Sequence, residues 1–304
     1  MLDFPEGYFQ KEVRDGFEVA SMMKRAWAGQ LEVLQVVREI CERHGIRWFA
    51  DYGTLLGAVR HKGYIPWDDD LDIGMTRDQL NLFIRYARDE LPSGFRLLCT
   101  ELEPEYDSLI VRVVNASSVS VDDDRLRRFH GCPYALGLDI FPLDYLPRDA
   151  EERDVLLQLV NILIGAADAV SSPEADPAEV EAYLTQVEGL LGIPLDRTRP
   201  IRNSIYSTVE KLAGCYGPED ADEVTGIWRI IWQKEFHFPK EWFAQLEELP
   251  FENVSVFAPS HYHEVLSLKM GADYMTPKQQ ITHDYPFYKQ QEEILAASLG
   301  FIPE

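Results

Sequence analysis

Between residues 68 and 72 the chain reads Asp-Asp-Asp-Leu-Asp, followed by Ile73. This run comes after a glycine-bounded stretch, Gly53-Thr54-Leu55-Leu56-Gly57. Acids this dense constrain the fold more than any other feature of the sequence. In a strand, side chains alternate between faces, so Asp70 and Asp72 are expected to project together, roughly 7 Å apart along the backbone, with Leu71 and Ile73 facing the core. Carboxylates held this close raise one another's pKa unless a cation relieves them. A hard divalent ion, Mg²⁺ or Mn²⁺, is the simplest relief, since Mg²⁺ takes oxygen ligands at about 2.1 Å and is typically held by one or two carboxylates plus substrate phosphates. The plain alternative is a solvated acidic loop, which would not need apolar residues interleaved at period two.

Composition limits the partners. The chain has 304 residues, enough for one large domain or two smaller ones, and a hydrophobic share of 46% supplies an ordinary core. A formal net charge of -23 disfavours nucleic acid, whose non-specific binding relies on Lys and Arg neutralising phosphates. It equally disfavours docking to anionic lipid. The four cysteines, Cys41, Cys99, Cys132 and Cys215, form no CxxC pair, so neither a zinc ribbon nor a redox motif is indicated. Residues 1–6 lack a basic segment followed by an apolar one, so no signal peptide is expected. The greasiest stretch, Val155 to Val170, contains Gln158, Asn161 and Asp168 and is too short and too polar to span a bilayer. The expectation is a cytoplasmic protein without membrane insertion.

The pattern along the chain mixes helices and strands up to residue 147. Trp27, Leu31, Leu34, Val37 and Cys41 recur at helical spacing and Gly45 is a natural stop. Ile46 to Ala50 reads as a short buried strand, and Gly53 to Lys62 as a tight turn into a short helix. Thr76 and Gln79 have the spacing of a capping box opening the next helix. Residues 95–99, 109–114, 119–121 and 136–141 read as strands, the last carrying a single acid, Asp139. After Pro147 the segments 149–170, 178–191 and 200–216 are helical in pattern. Residues 251–257 suggest a short strand, and Ser260 a cap for a helix ending near Met270. The fold expected is α/β (α+β): a nucleotidyltransferase-like mixed sheet over residues 1–148, carrying the metal site. Residues 149–304 form a mainly helical part that packs on this core and completes the substrate site.

A sharp glycine turn lets backbone N–H groups approach phosphate. Gly53 and Thr54 supply the turn, Asp70 and Asp72 the acidic pair, and Asp139 a third acid from a neighbouring strand. The uninterrupted stretch Tyr52 to Ile73, YGTLLGAVRHKGYIPWDDDLDI, closely resembles the signature of the LicD family. These are phosphocholine transferases of bacterial glycan decoration, with fukutin and the fukutin-related protein, ribitol-phosphate transferases, as distant relatives. Leu138-Asp139-Ile140-Phe141-Pro142-Leu143-Asp144 resembles the family's second block. Gly271-Ala272-Asp273-Tyr274-Met275, with Pro277 and His283, resembles its C-terminal block. Met270 stands where the family usually has an aromatic, and Asp284 follows His283 where it has a second histidine. The helical stretch 150–230 matches no known block.

The resemblance implies transfer of a phospho-alcohol, phosphocholine first among candidates, from a CDP-linked donor to a sugar hydroxyl of a glycan, with CMP leaving. Such transfer needs positioning and charge neutralisation more than covalent catalysis. Asp70 and Asp72 would hold Mg²⁺ across the donor pyrophosphate. Asp139 would share the metal and take the proton of the attacking hydroxyl. Arg60, His61 and Lys62 offer positive charge to phosphate, Arg60 above all because its planar fork matches phosphate geometry. Asp68 and His283 complete the candidate substrate residues. An NTP-dependent nucleotidyltransferase and a catalytically silent binding module are the alternatives. His261 and His263 would fall on different faces of a helix. Asp122-Asp123-Asp124 reads as a solvated turn and Asp144 as a turn cap. The aromatics Trp228, Trp232, Phe236, Phe238, Trp242 and Phe243 are core candidates, or a cage for a quaternary ammonium.

Overall fold

The computed structural model describes residues 1–279, 281 and 285–299. In chain order it contains β1 (Glu12–Arg14), β2 (Phe17–Val19), α1 (Ser21–His44), β3 (Phe49–Ala50), α2 (Tyr52–Arg60), β4 (Asp72–Thr76) and α3 (Arg77–Glu90). There follow β5 (Arg96–Leu98), β6 (Val111–Val114), α4 (Asp123–Arg128), β7 (Gly137–Pro147), α5 (Ala150–Ser171), α6 (Pro177–Leu191) and α7 (Ile201–Ala213). The chain then runs through β8 (Ala221–Thr225), α8 (Ile227–Ile230), β9 (His237–Pro239), a 3-10 turn (Lys240–Phe243), β10 (Leu246–Phe251), β11 (Val254–Pro259), α9 (Tyr262–Met270) and α10 (Lys289–Leu299).

The central sheet has the order β3-β4-β7-β6-β5, with β8 paired to β7 and β9 to β8. Only β4 and β7 run parallel. This is the mixed sheet and α+β class expected from the sequence. Helix α1 lies across it because its apolar stripe, Trp27 to Cys41, is buried. Gly45 ends α1 at a left-handed φ of 64°, returning its N–H to the Cys41 carbonyl, a conformation that suits glycine.

After residue 148 the chain is helical through α5, α6 and α7 and then returns to strands. Each of the first two helices is capped as its sequence dictates. The Asp149 carboxylate accepts the N–H groups of Glu151 and Glu152, and Asp176 accepts that of Ala178 beside Pro177. Leu156, Val160, Leu163, Leu184, Ile205 and Val209 form a second apolar cluster among these helices. Strand β8 carries this layer back onto β7.

Several local expectations differ from the folded structure. Only Phe49–Ala50 of the segment 46–50 pairs in the sheet, and residues 119–121 form no strand. The capping box does not close, because Asp78 takes both partners: the Thr76 hydroxyl donates to it at 2.6 Å and the Gln79 amide at 2.8 Å. Asp144 is no turn cap. It is fully buried and paired with Arg77 Nε at 2.6 Å. The single strand expected at 251–257 is a hairpin, β10 with β11.

Candidate active site

The site is built where the two parallel strands begin. Asp72 opens β4 and stands in register with Asp139 on β7. Two bonds fix the start of β4. The Asp72 N–H donates to the Thr54 hydroxyl at 2.8 Å, and its carbonyl accepts the Asp51 N–H at 3.0 Å. The Thr54 hydroxyl is therefore occupied in setting the strand. Asp51 caps α2, and Tyr52 takes a φ of 38° as the chain turns into that helix. Gly53 follows in regular helical backbone, and what it provides is room: an added Cβ would collide with the Asp68 carboxylate.

Asp70 lies just ahead of β4, which opens at Asp72, yet both acids line the same cleft and the Asp70 charge acts on Asp72. Side chains of α1 hold the run ahead of the strand. The Asp68 carbonyl accepts from Trp27 Nε1 at 3.0 Å and the Asp69 carbonyl from Gln30 Nε2 at 2.9 Å. The result still concentrates charge. Asp68, Asp69 and Asp70 each bring an oxygen within 4.8 Å of the others. Asp69 is buried, with one oxygen accepting the Phe287 N–H at 2.6 Å, while Asp70 is exposed. Burial, then the charges of Asp70, Asp139, Asp68 and Asp51, push the Asp72 carboxyl well above the usual carboxylate range. Burial and Asp70 do the same to Asp68. The donor set is all carboxylate oxygen under mutual repulsion, which fits a hard divalent ion such as Mg²⁺ or Mn²⁺.

A cleft of about 290 Å³ opens beside these acids. Gly53, Asp68, Asp70 and Asp72 line it, and Met270, Asp273, Tyr274, Thr276 and Lys278 face them from the C-terminal segment. Arg60 also lines it and reaches across, donating from Nη1 to the Tyr274 carbonyl at 2.6 Å. Lys278 pairs with Asp273 at 2.5 Å. His61 and Lys62 are not brought to the cleft. His61 faces Asp15 of the β1–β2 turn at 3.1 Å, and Lys62 is exposed, its carbonyl bonded to the Glu252 N–H. His283 lies outside the described residues.

Two cations at the site escape a reading of the sequence. Arg112 on β6 stands opposite Asp139 and grips both its oxygens, through Nε and at 2.6 Å through Nη2. Its signal was Val-Arg-Val beside Leu-Asp-Ile, opposite charges at matching positions of two alternating strands. Lys269 on α9 is sealed from solvent against Asp51, with its ammonium 4.2 Å from the centre of the Tyr52 ring. Burial pushes its pKa down and Asp51 pulls the other way. Phe236, Phe238 and Phe243 are core residues, Trp232 is exposed, and the aromatics lining the cleft are Trp67 and Tyr274. His263 bonds the Tyr274 hydroxyl, and Asp122, Asp123 and Asp124 are exposed at the start of α4.

Residues 45–122 match the family described as LicD/FKTN/FKRP, nucleotidyltransferase domain. The lipopolysaccharide cholinephosphotransferase LicD of Haemophilus influenzae is 30% identical over 256 residues, covering 81% of this chain and 88% of that protein. The ribitol 5-phosphate transferase FKRP of human and of mouse is 43% identical over 44 residues, which is 14% of this chain and 9% of that protein. Both relatives are named as transferases of a phosphorylated alcohol. The chain belongs to the LicD family.

Proposed function

We propose that this chain is a metal-dependent transferase that moves a phospho-alcohol, phosphocholine first among candidates, from a CDP-linked donor to a sugar hydroxyl of a glycan. One observation carries the reading: Asp72 and Asp139 stand side by side on parallel strands, with Asp68 and Asp70 at their mouth, beside a cleft that also holds Arg60. The names of the two relatives support the substrate class.

Asp70, Asp72 and Asp139 would hold Mg²⁺ or Mn²⁺. When bound, the ion supplies positive charge to the donor diphosphate. Thr54 fixes the backbone that presents Asp72, and Gly53 leaves the space that Asp68 needs. Arg60, with Nη1 anchored to the Tyr274 carbonyl and Nε against His61 Nδ1, would offer Nη2 to phosphate. In the reaction the acceptor hydroxyl oxygen bonds to the phosphorus bearing the alcohol. The bond from that phosphorus to the bridging oxygen breaks, and CMP leaves with the electron pair. The hydroxyl proton passes to a carboxylate, for which Asp139 is our assignment.

The test is a donor panel of CDP-choline, CDP-ribitol, CTP and ATP with Mg²⁺, with free CMP and pyrophosphate both measured. CMP release from a CDP-alcohol is the expected result. Pyrophosphate release from CTP or ATP, with no CMP, would replace this reading with nucleotidyl transfer.

A further inference from the structure

Three neighbouring strands place Asp72, Asp139 and Arg112 in one row across the sheet. The row reads acid, acid, cation. Val111 and Val113 are buried on the other face of β6, so the Arg112 side chain stands on the Asp72–Asp139 face and is about half exposed, at 48%. Asp139 is mostly covered, at 17%, and its cover is Arg112. We propose that Arg112 is a donor-binding residue that exchanges Asp139 for a phosphoryl oxygen of the diphosphate when the acid cluster takes up its cation.

The inference rests on the metal-site reading above and goes beyond it. The guanidinium fork takes one lone pair on each Asp139 oxygen and holds a full positive charge against the carboxylate. A divalent cation sharing Asp139 repels that charge at short range, which favours release of at least one arm of Arg112. A released guanidinium is a planar, always-charged donor whose geometry matches phosphate. Arg112 also lies in the field of Asp70, so its release leaves it near the cluster. Lys269 is sealed against Asp51 and Lys278 is paired with Asp273, so Arg112, once released, joins Arg60 as a guanidinium available to the diphosphate.

Arg112→Met and Arg112→Lys separate this role from a structural one. Mn²⁺ titration without donor, followed by electron paramagnetic resonance, should show tighter Mn²⁺ binding by Arg112→Met than by wild type, because the competitor for Asp139 is gone. A residue that merely held the fold together would weaken Mn²⁺ binding when removed. Calorimetry with CDP-choline on the Mn²⁺-loaded proteins should show Arg112→Met weakened by about 10–100-fold, the range for a lost hydrogen bond to a charged group. Arg112→Lys keeps the charge without the fork and should fall between. Unchanged or weaker Mn²⁺ binding in Arg112→Met overturns the proposal, as does unchanged donor affinity. If wild type binds Mn²⁺ but not CDP-choline, the donor assignment fails separately, and inorganic pyrophosphate replaces CDP-choline as the probe that decides Arg112. If wild type binds no Mn²⁺, both fall together.

Discussion

The sheet region and the helical layer bury different things. Around the sheet, Lys24, Glu32, Asp51, Asp69, Asp72, Arg77 and Asp144 are all buried side chains that carry charge when ionised. Among α5, α6 and α7 the buried polar groups are neutral, namely Asn203, Ser204 and Thr208, within an aliphatic cluster. Buried charges are costly unless paired. Most of those in the sheet region are paired: Arg77 with Asp144, Lys24 with Glu12, Glu32 with His130. In the Asp68–Asp72 cluster, burial and neighbouring carboxylates push Asp68 and Asp72 well above the usual carboxylate range. The difference teaches that the helical layer is organised for stability, whereas the mouth of β4 and β7 keeps a destabilising arrangement of the kind found at functional sites.

Substitutions can break this contrast. The largest effect is expected from Asp72→Asn, which keeps shape and removes charge. Turnover should fall by at least about a hundredfold, the scale of losing a main electrostatic contact at a reacting centre. Thermal stability without metal should hold or rise, since like-charge repulsion is relieved. Wild-type turnover in this variant would remove Asp72 from the site. Leu163→Ala in α5 should do the reverse: it empties a fully buried position and should cost about 2–5 kcal/mol in denaturant unfolding. The rate per folded molecule should stay the same. A loss of rate without a loss of stability would make the helical layer part of the chemistry.

A smaller effect is expected at the seam. Asn203 on α7 is fully buried and its amide donates to the carbonyls of Thr100, Glu103 and Tyr106. Asn203→Ala should cost about 1–3 kcal/mol for the buried carbonyls it leaves unpaired. Calorimetry should still show one unfolding transition if the two regions are one cooperative unit, and two would sharpen the division between them.

The smallest effect concerns pH. At Glu32, burial raises the pKa but is outweighed by hydrogen bonds from His130 and the Leu2 N–H, so the folded value is lowered. Such a carboxylate contributes stability above its unfolded pKa and loses it as pH falls through the folded one. Acid denaturation of Glu32→Gln should therefore depend less steeply on pH below the ordinary Glu range than that of wild type. Parallel curves would show that this pair contributes no linkage.

The elements read best from sequence were those whose signal is local. The stripe and glycine stop of α1 and the capped helices α5 and α6 depend on neighbours a few residues away. The acid run was visible as composition, but its shape was not. Asp70 precedes the strand, where side chains of α1, some forty residues earlier, hold the carbonyls of Asp68 and Asp69. Asp144 differs from its expected role for the same reason, since Arg77 takes it from 67 residues away, whereas Thr76 is taken locally by Asp78. Lys269 matters only through Asp51, distant in sequence, and the signal of Arg112, a charge opposite Asp139 on an alternating strand, has meaning only once the two strands are known to pair.

The parallel register of Asp72 with Asp139 also bears on the order of assembly. These strands are about 70 residues apart in sequence, and closing so long a loop costs entropy before any contact repays it. The hairpin of β5 and β6 and helix α3 lie between them and can form locally first. In that order of assembly Asp139 would join the acid run late, and its repulsion with Asp72 would fall on that step. A divalent ion that binds only the finished arrangement would then act as a brake on unfolding by stabilising the folded state, and chelation should hasten the opening of β4 from β7 before the helical layer yields.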